Sequence, residues 1–297
     1  MSDKLIVAGA IEGVLVLTGL ALLWCLALSP SARARARQPM PLPFWQVPAY
    51  SYALAAVLML GTGAMFRPFI SSLMRECAPG LSQTQGLGVI INELASHVGL
   101  ILGMGAGWYL LKSSRFVAAL AAANSAENTP RRLDWKYVPL AGAAVAAILI
   151  VCKGPLSSVF MIILQALGIP VNVQDSVALF ATAKTPLETT LLVTLACAIA
   201  PISEELVFRA GLFRYVRGRI PRWAALTGPA LLFTALHFSI VSTPSLFLFG
   251  VIQAVAYERT GRIAVPIIAH ALFNLHTTIS LLLGLDPYAA LGNWLKL

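Results

Sequence analysis

The residues best able to do chemistry lie in three short groups, each inside a long apolar run: Glu204, Glu205 and Arg209; Phe233 and His237; His270 and Asn274. An ionisable side chain inside a bilayer costs roughly 2.5–3.5 kcal/mol on the insertion scale, so each calls for a partner or a role. On a helix, Glu205 and Arg209 share a face and can pair, whereas Glu204 is turned away by about 100°. Pairing neutralises one carboxylate and leaves the other available. Phe233 and His237 share a face in the same way, as do His270 and Asn274. Together the groups supply a carboxylate, two imidazoles and an amide, a set able to activate water and to stabilise an oxyanion. Glu204, His237 and His270, drawn from three helices, are also enough to bind zinc with one position left for water, although the chain has no HExxH signature. Donor type alone leaves zinc and a metal-free glutamate mechanism equally open, and no organic cofactor is expected.

The elements that must position these groups are membrane helices. The chain is 58% hydrophobic and 11% charged, far below the charged share of about a quarter usual in soluble domains. A bilayer core takes roughly 20 apolar residues of helix, and eight runs approach that length: 5–28, 48–66, 87–111, 137–168, 186–213, 222–241, 244–257 and 263–284. The expected fold class is therefore all-α, a polytopic transmembrane helical bundle of about eight helices. The first run has no clear cleavage site after it and reads as a retained anchor. The fourth contains Lys153, Gly154 and Pro155 and is expected to kink there. A break is also expected at Gly228 and Pro229. It would put His237 at the depth of Glu204 and His270, about 12–15 Å from the cytoplasmic end by the helical rise. Thr185, Pro186 and Glu188 read as an N-cap, a first-turn proline and a capping-box acid, and Thr243 and Pro244 repeat the first two.

The formal charge of +9 does not point to nucleic acid, because the basic residues fall in short clusters between apolar runs. The stretches 33–37, 112–136, 214–222 and 259–262 hold 14 of the 21 basic residues. They are expected to be cytoplasmic, with both termini outside, in an integral protein of the cell (inner) membrane. Arg33, Arg35 and Arg37 then lie against anionic headgroups. The loop 113–136 is the most linker-like stretch, separating an N-terminal three-helix region, 1–136, from a core, 137–297. The remaining polar residues read as structural. Glu93 and His97 form an i,i+4 pair, structural in the simpler reading and a second metal or proton site in the other, Glu12 faces a neighbour or the surface, Arg67 and Arg75 snorkel to the interface, and His276 takes no role. The four cysteines are too dispersed for a metal or disulfide framework and read as packing residues. Aromatic residues such as Trp45, Tyr52, Trp108, Trp135 and Trp294 sit at run ends, as an interfacial belt does. Nothing in the sequence sets an oligomeric state.

The patterns EExxxR at 204–209, FxxxH at 233–237 and HxxxN at 270–274, with the run Tyr257 to Gly261 before the last, resemble the signature motifs of the CAAX-protease and bacteriocin-processing (CPBP, Abi) family. That family includes the type II CAAX prenyl endopeptidases. The resemblance covers roughly 185–285. It implies an intramembrane endopeptidase that hydrolyses a peptide bond of a membrane-associated or lipidated protein or peptide. Its roles, carried over, make Glu204 the base that activates water with His237. His270 and Asn274 stabilise the oxyanion, and Glu205 and Arg209 hold the geometry. Members are often labelled metalloproteases, with Glu204, His237 and His270 then the zinc ligands. The implied partners are membrane lipid and a peptide or protein substrate, prenylated in the strict CAAX case. Two other classes compete: a non-proteolytic immunity or scaffold protein of the same fold, and a secondary transporter. Inverted repeats would support the transporter, and the sequence shows none.

Overall fold

The computed structural model describes residues 3–38, 40–42, 45, 47–78, 85–113, 131–169, 179–180 and 183–283. Most of the linker-like loop (114–130) and Trp294 lie outside the described residues. In chain order the helices are α1 (Asp3–Leu23), which runs on as a π-helical turn Trp24–Leu28, α2 (Pro30–Ala36), α3 (Ala49–Cys77) and α4 (Gln85–Ser113). A 3-10 turn, Trp135–Tyr137, leads into α5 (Val138–Ala166). A broken helix follows: α6 (Pro186–Thr194), a π-helical stretch Leu195–Ile199, α7 (Ala200–Glu205), a second π-helical stretch Leu206–Phe213, and α8 (Arg214–Val216). The last helices are α9 (Arg222–Ala235), α10 (Thr243–Thr260) and α11 (Ala264–Leu282). The described residues contain no strand, and six helical spans among them are long and apolar enough to cross a membrane. The protein is an all-α, multi-pass integral membrane protein.

The chain forms two compact units interleaved in sequence. The first comprises Met1–Leu42, Arg132–Val173 and Ala230–Leu297, the second Pro43–Arg131 and Gln174–Pro229. In the second unit, α3 and α4 pack as an antiparallel pair along a glycine seam. A Cβ on Gly103 would lie 2.7 Å from Met59 Cα, one on Gly99 would lie 2.9 Å from Gly63 Cα, and one on Gly107 would lie 3.1 Å from Ala55 Cβ. Three glycines spaced by four residues present one bare face, and lipid offers no hydrophobic drive to replace such close backbone packing. The α3 helix runs beyond the expected end near residue 66, through Arg67 and Pro68. Arg67, its side chain 52% exposed, pairs with Glu93 on α4 at 2.5 Å, and Ser71 donates to Asn92 Oδ1 at 2.6 Å. One end of this unit is aromatic, with Tyr52 stacked on Tyr215 at 3.8 Å and Trp45 on Trp108 at 5.7 Å. Arg219 donates to the carbonyls of Trp45 and Val47 there.

In the first unit, α5 packs against α1, α10 and α11, around a core of Val138, Ala256 and Val265. The α5 helix runs on as one element through Pro155, and Lys153 on it donates to Thr277 Oγ1 of α11 at 2.8 Å. Glu12 of α1 accepts from His276 Nε2 at 2.9 Å, so both of these residues have a partner. Gly261 caps α10 with φ +62, and a Cβ there would meet Arg132 Cγ at 2.9 Å, so both conformation and space require glycine. Gln253, fully buried on α10, donates to the Pro266 carbonyl of α11 at 2.8 Å.

Two expected helix starts resolve differently. The capping box forms: Glu188 N–H donates to Thr185 Oγ1 at 3.2 Å and Thr185 N–H to Glu188 Oε2 at 3.0 Å. Thr243 is not a cap. It is the first residue of α10, with Ser242 before it, and its hydroxyl donates back to the Ser239 carbonyl at 3.0 Å. The expected break at Gly228 and Pro229 does not occur, because α9 is continuous from Arg222 to Ala235 with Pro229 inside it. The helix instead stops at Ala235, which places His237 in the turn beyond its end.

Candidate functional site

The second unit holds the acidic motif. Ala200 and Pro201 open a six-residue α segment, α7, lying between two π-helical stretches. Such widened turns are rare and are used where a helix must re-aim side chains. Glu205 and Arg209 pair across the second widened turn, Nη1 to Oε1 at 3.1 Å, and are 0% and 2% exposed. The pair expected from the i,i+4 spacing is therefore present, and it is sealed from solvent. Glu204 is only partly buried. Burial thus distinguishes the adjacent carboxylates: Glu205 is fully enclosed with its guanidinium partner, and Glu204 keeps partial exposure. Ser203, 1% exposed, donates to the Ala200 carbonyl at 3.0 Å, and its Oγ lies 2.6 Å from His97 Nδ1. His97 is not paired with Glu93, the partner its spacing suggests, since Glu93 binds Arg67.

The first unit holds both imidazole motifs. His237 Nδ1 lies 2.8 Å from the Phe233 carbonyl. A carbonyl can only accept, so Nδ1 carries the proton and Nε2 keeps its lone pair when the ring is neutral. The FxxxH spacing is therefore not a helical face but a helix-end contact. The chain leaves the helix after Ala235 and folds the imidazole back onto the last turn, and Phe238 follows at φ +46, a conformation side chains rarely adopt. The Phe233 ring, 1% exposed, lies 4.4 Å from the His237 ring and 6.4 Å from the His270 ring. His270, 4% exposed, also meets Phe249 edge-on at 4.7 Å. Phe273 packs on Phe249 at 5.1 Å and receives the Lys153 ammonium over its ring at 4.9 Å. Asn274 is one turn beyond His270 on α11 and partly buried.

Each unit thus gathers its own motif: Glu204, Glu205 and Arg209 in one, His237, His270 and Asn274 in the other. Sequence reasoning missed Phe249, Phe273 and Ser203. Their only sequence signal is proximity to a motif, and the contacts that matter come from other helices. Among the described residues, neither unit by itself groups three His, Cys, Asp or Glu side chains that could hold a metal ion. The donor chemistry of His237 nonetheless suits a metal, since ligating histidines commonly donate their other ring N–H to a backbone carbonyl.

Residues 186–276 match the family model described as type II CAAX prenyl endopeptidase Rce1-like. The chain is 42% identical over 82 residues to the membrane-embedded CAAX protease MroQ of Staphylococcus aureus (strain USA300), a match covering 26% of this chain and 33% of that protein. It is 33% identical over 91 residues to an uncharacterized 24.3 kDa protein of Escherichia coli, covering 29% of this chain and 41% of the relative. The matches thus span about a third and two fifths of the length of these curated relatives. No solved structure matches. All six motif residues, Glu204 to Asn274, lie inside the segment that is similar to the Rce1-like model.

Proposed function

We propose that the Rce1-like segment makes this protein an intramembrane endopeptidase that cuts a peptide bond of a membrane-associated protein or peptide, with Glu204 as the base. One observation carries the reading: of two adjacent carboxylates, Glu205 is locked to Arg209 out of solvent while Glu204 stays accessible.

The steps follow from the residues. Glu204 accepts a proton from water as the water oxygen attacks the scissile carbonyl. The lone pair that the Phe233 contact leaves on His237 Nε2 orients the same water. His270, held by the Phe233 and Phe249 rings, and Asn274 supply donors to the oxygen that becomes negative. Collapse of the tetrahedral intermediate breaks the C–N bond, and Glu204 returns its proton to the leaving amine. Glu205 and Arg209 set the helix on which Glu204 rides. Glu204, His237 and His270 would be the residues to hold a zinc ion, which when bound polarises a carbonyl and acidifies water.

The substrate class we infer is a protein or peptide whose cleavage point lies near a membrane anchor, a covalent lipid included. The test is cleavage by the purified protein of membrane-anchored peptides with and without a lipidated cysteine, read by mass spectrometry. His237→Ala and a zinc-chelator arm run beside the wild type. Cleavage lost in folded His237→Ala supports the reading, and chelator sensitivity decides the metal. Folded wild type that cuts none of the peptides overturns it.

A further inference from the structure

We propose that His97, on a helix outside the family match, is a positioning residue for Glu204 and acts through Ser203. The proposal rests on the endopeptidase reading. The α4 helix runs parallel to the broken helix and touches it at three levels. A Cβ on Gly86 would lie 3.2 Å from Glu188 Oε1, His97 Nδ1 lies 2.6 Å from Ser203 Oγ, and a Cβ on Gly211 would lie 3.4 Å from Met104 Cε. The middle contact is polar. Ser203 has one hydroxyl proton, and it goes to the Ala200 carbonyl at 3.0 Å. Its oxygen is then the acceptor and His97 Nδ1–H the donor. The imidazole thereby fixes the hydroxyl of the residue directly before Glu204, at a site 1% exposed.

The local backbone explains why such an anchor is needed. The α7 segment is six residues long, and the hydrogen-bond ladder changes register on both sides of it. Each change of register re-aims the side chains around it, so the direction of Glu204 depends on where the two widened turns fall and on what holds its neighbours in place. Arg209 fixes the Glu205 face from within the same helix, and His97 fixes the Ser203 face from a neighbouring one. Three consecutive residues are thus held on two sides, with the base between them.

The experiment is steady-state cleavage kinetics for wild type, His97→Ala, His97→Asn, His97→Gln and Ser203→Ala, with Glu204→Gln as reference and thermal unfolding in detergent alongside. A small displacement of a catalytic group typically lowers the rate by about 10- to 100-fold. His97→Ala and Ser203→Ala are expected to lose kcat on that scale with KM within about twofold. His97→Asn keeps an N–H near the Nδ1 position and is expected to restore most of kcat, whereas His97→Gln moves it one methylene away and does not. If His97→Ala fails to fold, the near-isosteric Asn and Gln variants decide alone. Wild-type kcat in His97→Ala, equal Asn and Gln variants, or a change confined to KM overturns the proposal. Those outcomes with Glu204→Gln inactive leave the endopeptidase reading standing. A wild type without cleavage, or an active Glu204→Gln, removes both.

Discussion

At the residue scale, the Glu205–Arg209 pair is legible in the i,i+4 spacing itself, and the structure seals it from solvent while Glu204 is only partly buried. The buried pair has a measurable consequence. Removing one member of such a pair leaves a charge stranded and typically costs about 3–5 kcal/mol. Glu205→Gln is therefore expected to lower the unfolding midpoint in detergent sharply, and the double variant Glu205→Gln/Arg209→Met to recover part of the loss. Equal midpoints for wild type and Glu205→Gln would contradict the pairing seen at 3.1 Å. The contacts of His97 are not legible in the sequence. Its i,i+4 neighbour Glu93 is closer along the chain than Ser203, 106 residues away, and only packing reveals that Glu93 is already taken by Arg67. The ring cluster of Phe233, Phe249 and Phe273 is hidden for the same reason, since aromatic residues in apolar runs carry no positional signal.

At the element scale, most span positions follow from hydropathy, and the errors fall at helix ends. The α3 helix outlasts its apolar run, continuing through Arg67, which has an ion-pair partner in Glu93 of the neighbouring helix, so a charge at this point does not end the helix. The α9 helix ends early because the FxxxH turn folds back on its last carbonyls, a side-chain contact that hydropathy does not encode. The glycine seam between α3 and α4 is legible in principle as small residues at spacing four, a pattern that apolar counting alone passes over. It makes a controlled prediction. Gly103→Leu drives a side chain into the α3 backbone and is expected to cost on the order of 1–3 kcal/mol or more. Gly105→Leu meets nothing within 4 Å and should be close to neutral. Comparing the folded yield and unfolding midpoint of the two variants checks this, and equal losses would mean the seam does not carry the packing.

At the scale of the whole molecule, the hydropathy pattern and the family match agree on a multi-pass membrane protein, and the three motifs fall in its last third. The basic clusters at 33–37, 214–222 and 259–262 predict which ends of the helices face the cytoplasm. In a background with the four native cysteines replaced, Ala36→Cys and Arg217→Cys are expected to react with an impermeant maleimide in inside-out vesicles and not in intact cells. Labelling of either from outside would reverse the orientation. The central claim is chemical, and it turns on one side chain. The most direct test is the cleavage rate of a membrane-anchored peptide by purified wild type and by Glu204→Gln of confirmed fold. Loss of a general base is expected to slow the reaction by about 100- to 10,000-fold. A Glu204→Gln protein that cleaves at the wild-type rate would contradict the account.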